Sequence, residues 1–222
     1  MSEIRAQLDK IVKALTGEGY AAELQAARRA YYAVTGEIFE DDASFEMRMI
    51  TFLEWFVFDR PLARGVVPIR AYLEDHAADL SPEEREMTEA LLRQHHGLYR
   101  AKKVKPPVLH LKDLWDGRLI RVEAGDTAQS FHADDLIDAR LVSWKEKTFL
   151  TEGILFHPAG ALGYLRAELK ALRKGGVGGP TEALFFRLAG MLLKHDRYRQ
   201  IKTELIYKNA PEVPPGGRAD KV

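Results

Sequence analysis

The sequence contains no cysteine among its 222 residues. This absence excludes disulfide bonds, thiolate zinc sites and cysteine nucleophiles. No apolar run is long enough to span a bilayer, and the N-terminal segment Met1–Arg5 lacks the apolar core of a secretory signal. The sequence therefore predicts a cytoplasmic protein with no membrane partner.

Motifs of known catalytic and cofactor sites are also missing. The chain has no Gly-x-Ser-x-Gly elbow, no dinucleotide fingerprint and no kinase signature. The glycine run at 175–179 lacks the Gly-Lys-Ser/Thr ending of a phosphate-binding loop, and none of the seven histidines has His-x-x-x-His spacing. We therefore predict no catalytic residue, no cofactor and no metal site.

Charge is distributed unevenly along a chain that is neutral overall, with 33 basic and 33 acidic residues. Residues 1–96 carry 11 Lys and Arg against 18 Asp and Glu (net −7), residues 97–151 carry 10 against 8 (net +2), and residues 152–222 carry 12 against 7 (net +5). The opposite signs favour docking of the two ends on each other or steering of a partner. A neutral whole argues against indiscriminate nucleic-acid binding.

The densest apolar stretch lies within residues 43–60, which are predicted to form one helix. Its apolar side chains fall on nearly every face, as is typical of a central helix covered by neighbours. Helical periodicity extends through residues 1–96, and Ser81-Pro82-Glu83-Glu84 is a capping box that starts one of these helices. Residues 1–96 are therefore predicted to be a helical region around a buried hub helix.

Apolar periodicity changes to two after residue 97, and five short strands are predicted within 97–152. Asp116-Gly117 predicts a two-residue hairpin turn. So many short strands favour a small antiparallel β-barrel of SH3-like or OB-like kind. Helices return in residues 153–210, including one of roughly 25 residues from Thr181, and the tail 211–222 is predicted to be disordered. The predicted fold class is α+β, with helical regions flanking the barrel.

Several segments between about Ser44 and Gly153 occur in a recognisable order. They are Phe52–Leu62, Pro68–Leu73, Leu80–Arg85, Gly97–Tyr99, Leu111–Gly117 and Asp134–Val142. This order resembles uncharacterised bacterial proteins related to SEC-C-motif-containing proteins. The resemblance implies a helical region joined to a small barrel, and no established activity. Because this chain has no cysteine, the zinc module of the SEC-C relatives is not carried over.

Three charged residues, Glu54, Asp59 and Arg60, lie within or beside the hub helix. An ionised group in such surroundings must be paired or hydrogen-bonded. A structural ion pair of Glu54 or Asp59 with Arg60, or with another arginine, is therefore the favoured interpretation. The alternative is a buried carboxylate that acts as a general base.

A basic stretch with aromatic neighbours is the candidate for nucleic-acid binding. OB-like barrels bind single strands by combining cations with stacking aromatics. Lysines that protect an edge strand from association are the simpler interpretation. The candidate residues are Tyr99, Arg100, Lys102, Lys103, Lys105, Trp115, Arg118 and Arg121.

Three functions follow from these features. The sequence favours a non-catalytic adaptor that contacts another protein through the barrel and the C-terminal helix. Association with single-stranded RNA or DNA through the basic strand is the alternative. A hydrolytic enzyme comes third, because it requires a cleft lined by Glu54, Asp59 or His132. The sequence makes no prediction of the oligomeric state.

Overall fold

Five helices precede the β-sheet in the computed structural model, which describes residues 3–208. Each helix packs an apolar stripe inwards, as α1 does with Ile4, Leu8 and Ile11. The predicted capping box is present: the Glu84 N–H donates to the Ser81 hydroxyl (3.2 Å), and the Ser81 N–H donates to the Glu84 carboxylate (2.9 Å). The helices are α1 (Glu3–Leu15), α2 (Ala21–Thr35), α3 (Phe45–Phe58), α4 (Pro68–Asp75) and α5 (Pro82–Leu92).

Helix α3 is the hub, and it is slightly shorter than the predicted 43–60. Phe52, Phe56 and Val57 are almost completely buried. Arg48, only 1% exposed, donates to the backbone carbonyls of Ala189 (2.6 Å) and Thr35 (3.0 Å). The Thr35 carbonyl lies at the C-terminal end of α2, where the helix dipole favours a cation. Arg48 thereby ties α3 to α2 and to the helix that carries Ala189.

Six strands form one mixed sheet, so the α+β class is confirmed. Their order is β1-β2-β3-β5-β4-β6, and β1 also pairs with β4. All of these pairs are antiparallel except β3–β5, which is parallel, so the prediction of a wholly antiparallel arrangement is wrong. The strands are β1 (His95–Lys105), β2 (Val108–Asp113), β3 (Leu119–Glu123), β4 (Leu136–Trp144), β5 (Lys147–Leu150) and β6 (Leu155–His157).

Strand β1 reaches two neighbours because it is long. Its first half, from His95 to Arg100, pairs with β4, while its second half pairs with β2 across an irregularity between Ala101 and Lys103. Such an irregularity bends a strand and increases its twist. The bend lets β1 pair with β4 at one end and with β2 at the other.

Two local predictions are wrong. The β2–β3 connection takes the five residues 114–118, and within it only Gly117 has positive φ (+82°), so the turn is not the two-residue type. The long C-terminal helix divides into α7 (Glu182–Arg197) and α8 (Thr203–Ile206), preceded by α6 (Leu162–Lys174). The predicted disordered tail, 211–222, lies outside the described residues. Between residues 3 and 208, no helix combines the length and the hydropathy that crossing a membrane requires.

Candidate functional site

A cleft of about 430 Å³ lies where α3, the sheet and α7 meet. This volume is within the range of small-molecule sites in proteins. Three parts of the fold line the cleft with polar and aromatic side chains. The principal ones are Glu54, Trp55, Phe58 and Asp59 from α3 and its end, His96, Asp138 and Arg140 from the sheet, and Glu182, Phe185 and Phe186 from α7.

Local periodicity explains why these side chains share one space. On α3, Thr51, Glu54 and Phe58 lie at helical spacing and therefore on one face. On β4, Asp138 and Arg140 are two residues apart and point to the same side of the sheet. His96 lies directly opposite Arg140 on the neighbouring strand β1. The face of one helix and the face of one sheet thus meet across the cleft.

Arg140 is the central cation of the cleft and is only 3% exposed. Its guanidinium donates to both carboxylate oxygens of Asp59, through Nη1 (3.4 Å) and Nη2. Its Nε lies 3.7 Å from Oε2 of Glu54. Two carboxylates therefore offset the charge of one guanidinium, which leaves Arg140 little capacity to attract an anionic ligand.

Glu54 is fully enclosed beneath Arg140. Its Oε1 accepts from the Gly153 N–H (2.8 Å) and its Oε2 from the Thr151 hydroxyl (2.9 Å). Burial raises the pKa of Glu54, while Arg140 and these hydrogen bonds oppose the rise. A β-carbon at position 153 would lie 2.7 Å from Oε2, so only glycine permits this approach. Because both oxygens already accept from the protein, Glu54 is poorly placed to act as a general base.

His96 and Asp138 form a second pair, with Nε2 and Oδ1 2.5 Å apart. The ring of Phe185 stacks on the imidazole, with centroids 3.6 Å apart and an interplanar angle of 11°. Burial and the nearby charge of Arg140 lower the pKa of His96, although Asp138 opposes the shift. The shift disfavours the positively charged imidazole beside Asp138.

The charges of the cleft do not balance. Glu182 accepts a hydrogen bond from the Trp55 indole (2.7 Å). Among residues 3–208, neither Glu182 nor Asp138 has a Lys or Arg side chain within 4.0 Å, and Asp138 has only the His96 imidazole beside it. Four carboxyl groups in all face a single guanidinium. Aromatic rings form much of the remaining wall, namely Tyr31, Trp55, Phe58, Phe185 and Phe186.

The model of a family of unknown function, DUF7986, matches residues 2–182. The chain belongs to this family. The matched region of this DUF7986 protein contains every charged residue of the cleft, from Glu54 to Glu182, while Phe185 and Phe186 lie beyond it. No curated protein and no solved structure matches the chain.

Of the three charged residues predicted at the hub helix, two line the cleft and the third, Arg60, does not. Glu54 and Asp59 line the cleft and share one arginine, but that arginine is Arg140 and not Arg60. Arg60 has a buried Nε without a hydrogen-bond partner in the described part of the chain. His132 is exposed and does not line the cleft. Sequence reasoning missed Arg140 and Asp138, although their alternation within a buried strand is a readable signal.

The predicted nucleic-acid residues lie outside the cleft, and only Arg100, Lys102 and Trp115 share a groove, the one beside α6. Tyr99 is fully buried, so its assignment to a surface platform is wrong. Four cations are ion-paired: Arg100 and Lys102 with Asp134, Arg118 with Asp116, and Arg121 with Glu123. Lys103 and Lys105 are exposed near the end of β1, and Trp115 is half-buried in a second groove beside α6.

No metal-binding arrangement was found among the residues that the structure describes: no three His, Asp or Glu side chains come together in a suitable group. The polar groups of the cleft instead bond to each other and to the backbone.

Proposed function

We propose that the cleft binds a small organic cation, an ammonium or guanidinium group attached to an apolar body. The observation that carries this proposal is the excess of carboxyl groups in an aromatic-walled cleft: Glu54, Asp59 and Asp138 line it, Glu182 is exposed at its edge, and Arg140 is the one guanidinium they face. Aromatic faces attract organic cations within about 6 Å, and desolvation strengthens the attraction. An anionic ligand would meet the unbalanced charges of Asp138 and Glu182 and would be repelled.

Binding is better supported than hydrolysis. Glu54 has both oxygens engaged, and the imidazole of His96 is covered by Phe185 on one face. A hydrolytic site needs a base that can reach a water molecule or a nucleophile. The hydrogen bonds of the cleft instead hold its carboxylates in fixed positions, which suits recognition of a positive charge. The hydrolase hypothesis stays a prediction with less support.

Removing one carboxylate charge tests the proposal. We expect small aromatic amines to raise the melting temperature, whereas carboxylates of the same shape do not. Glu182→Gln should weaken amine binding two- to threefold at low salt, roughly 0.5 kcal/mol, because Glu182 is exposed and solvent screens part of its charge. The glutamine carbonyl can still accept from Trp55, so the change removes charge and keeps the hydrogen bond. Isothermal titration calorimetry with benzylamine and benzoate measures both effects.

Glu86→Gln is the matched control, since Glu86 is exposed on α5 and lies away from the cleft. It should leave amine binding unchanged. Equal affinity for benzylamine and benzoate, or equal loss in the two variants, would contradict the proposal.

We also propose that five of the strands form the predicted barrel in its OB-like form. The pairings run from β1 through β2, β3, β5 and β4 and return to β1, which supports closure. The parallel β3–β5 pair and the long bent β1 are further support, because a five-stranded Greek-key barrel requires both a crossover and a strand shared by two neighbours.

Protein binding through the C-terminal helices is a second proposed function. An apolar groove of about 680 Å³ lies between α2, α7 and α8. Four apolar side chains that line the groove are between 39% and 51% exposed, namely Val34, Tyr198, Ile201 and Leu205. Exposed apolar side chains grouped in this way are typical of protein–protein contacts. This observation supports the predicted adaptor.

A charge placed in that groove should abolish capture of a protein partner. We expect wild-type protein to retain a stoichiometric partner from native lysate, and Leu205→Glu to lose it because a carboxylate would be buried in an apolar contact. Quantitative mass spectrometry of the eluates makes the measurement. Lys208→Glu, an exposed change outside the groove lining, is the control. Retention of the same partner by Leu205→Glu would count against an interface here.

A further inference from the structure

A second groove, separate from the cleft, has six cations among its eleven lining residues. It has a volume of about 440 Å³ and lies between the β1–β2 edge and α6. Arg100, Lys102 and Lys112 project from the sheet side. Helix α6 supplies the opposite wall with Arg166, Lys170 and Arg173. Sequence reasoning named two of these six cations, because the other four come from positions that only the fold brings together.

The cations of α6 form a row that faces the groove. Arg166, Lys170 and Arg173 are spaced by four and three residues, so they lie on one side of the helix and extend over roughly 10 Å. The neighbouring face of α6, about 100° around the helix, is held against the core by Leu165 and Leu169, which are almost completely buried. The anchored helix therefore presents its positive side in a fixed position.

Several of these cations are not paired with a carboxylate of the described residues. Arg166, Lys170 and Lys112 have no carboxylate within 4.0 Å among residues 3–208. Two carboxylates also line the groove: Asp113 accepts from the Trp115 N–H (2.6 Å), and Asp116 pairs with Arg118, which lies outside the lining. Arg100 and Lys102 share the single exposed carboxylate of Asp134. The groove thus keeps a surplus of positive charge.

An aromatic side chain lies within the same groove. The half-buried indole of Trp115 has the guanidinium of Arg173 over its ring, 5.1 Å from the centroid. Arg173 also donates to the Leu114 carbonyl (3.1 Å), which holds the pair in place. Flat aromatic and guanidinium groups are the surfaces on which unpaired bases stack. A compact anion such as phosphate cannot stack on this surface, whereas the base of a nucleotide can.

We infer that this groove binds single-stranded nucleic acid, with the row of α6 cations along the phosphates and a base against Trp115 and Arg173. The chain is neutral overall, so the affinity depends on this local concentration of cations and not on net charge. The binding surface differs from the predicted one, since Tyr99 is buried and α6 replaces the far end of β1. The inference is independent of the cation-binding cleft.

Reversing charge on α6 tests the inference. Fluorescence anisotropy with labelled oligothymidylate and oligouridylate of about 20 nucleotides should give binding that weakens steeply between about 50 and 200 mM salt. The double variant Arg166→Glu, Lys170→Glu should lose at least tenfold in affinity and show a shallower salt dependence, because fewer counterions are released. Trp115→Ala should weaken binding severalfold with the salt dependence unchanged.

The control is the double variant Lys13→Glu, Arg29→Glu, which makes the same change in net charge on exposed positions of α1 and α2. Its affinity should stay within twofold of wild type. Circular dichroism of every variant establishes that the fold is kept. Absence of binding at low salt, equal losses in the two double variants, or unchanged affinity in Trp115→Ala together with equal binding of inorganic polyphosphate would each overturn the inference.

Discussion

Replacing Arg140 by methionine is expected to destabilise the protein by about 3–5 kcal/mol, because removing one partner of a buried ion pair leaves the other charge uncompensated. Glu54 is completely enclosed and has only Arg140 as a cationic partner in the described chain. The methionine fills similar space, so the loss reflects charge more than volume. Chemical denaturation followed by tryptophan fluorescence gives the free energy of unfolding.

The destabilisation caused by Arg140→Met should also depend on pH. Burial raises the pKa of Glu54 and Arg140 lowers it, so without Arg140 the carboxyl group takes up a proton more readily. The neutral form is cheaper to bury, and the destabilisation by Arg140→Met should therefore be smaller at pH 5 than at pH 8. The double variant Arg140→Met, Glu54→Gln should recover part of the loss for the same reason.

Arg121→Met is the matched control for this experiment. Arg121 also pairs with a carboxylate in the sheet, that of Glu123, but its side chain is 58% exposed. Exposed pairs contribute little, so the change should stay within about 1 kcal/mol. A loss of similar size in the two variants would show that Arg140 is not the electrostatic centre described here.

Acid should destabilise the protein through His157 on β6. This histidine is buried, its Nδ1 lies 2.9 Å from the Tyr207 hydroxyl, and its Nε2 has no hydrogen-bond partner among residues 3–208. Burial lowers its pKa from 6.5 to about 4. Between pH 6.5 and about 4, His157 therefore binds a proton in the unfolded chain but not in the folded chain, and the free energy of unfolding falls as the pH drops. The loss between pH 7.5 and 4.5 is about 2.5 kcal/mol at 1.36 kcal/mol per pH unit.

The variant His157→Phe isolates this contribution. Its free energy of unfolding should fall less than that of wild type between pH 7.5 and 4.5, by about the same 2.5 kcal/mol. Tyr207→Phe is the control: it removes the hydroxyl near Nδ1 but leaves the imidazole buried, so the pH dependence should persist. If His157→Phe and wild type lose stability in parallel, another group controls the acid sensitivity.

Local sequence signals gave much of the fold. The capping box at Ser81, the apolar hub of α3 and the change of period near residue 97 each depend on neighbours within a few residues, and each is found where it was expected. The parallel β3–β5 pair was not predictable in this way, because periodicity gives the existence of a strand but not its partner or its direction.

The candidate sites show the same division. Glu54 and Asp59 stood out because charges within an apolar segment require partners. Arg140 lies 81 residues beyond Asp59, and nothing local connects the two. The groove likewise joins Lys112 to cations of α6, and half of its charge lay in a helix whose orientation no pattern reveals.

By itself, the amino-acid sequence determined where helical and strand periodicity occur and which charges had to find a partner, since these follow from spacing along the chain; it did not determine that the last helix ends at Arg197. Tertiary structure alone decided that Arg140 is that partner, that α7 closes an acidic cleft and that α6 faces a basic edge. The reason is physical: a cleft is a relation between surfaces, and charges far apart in sequence meet only after the apolar faces beneath them have packed.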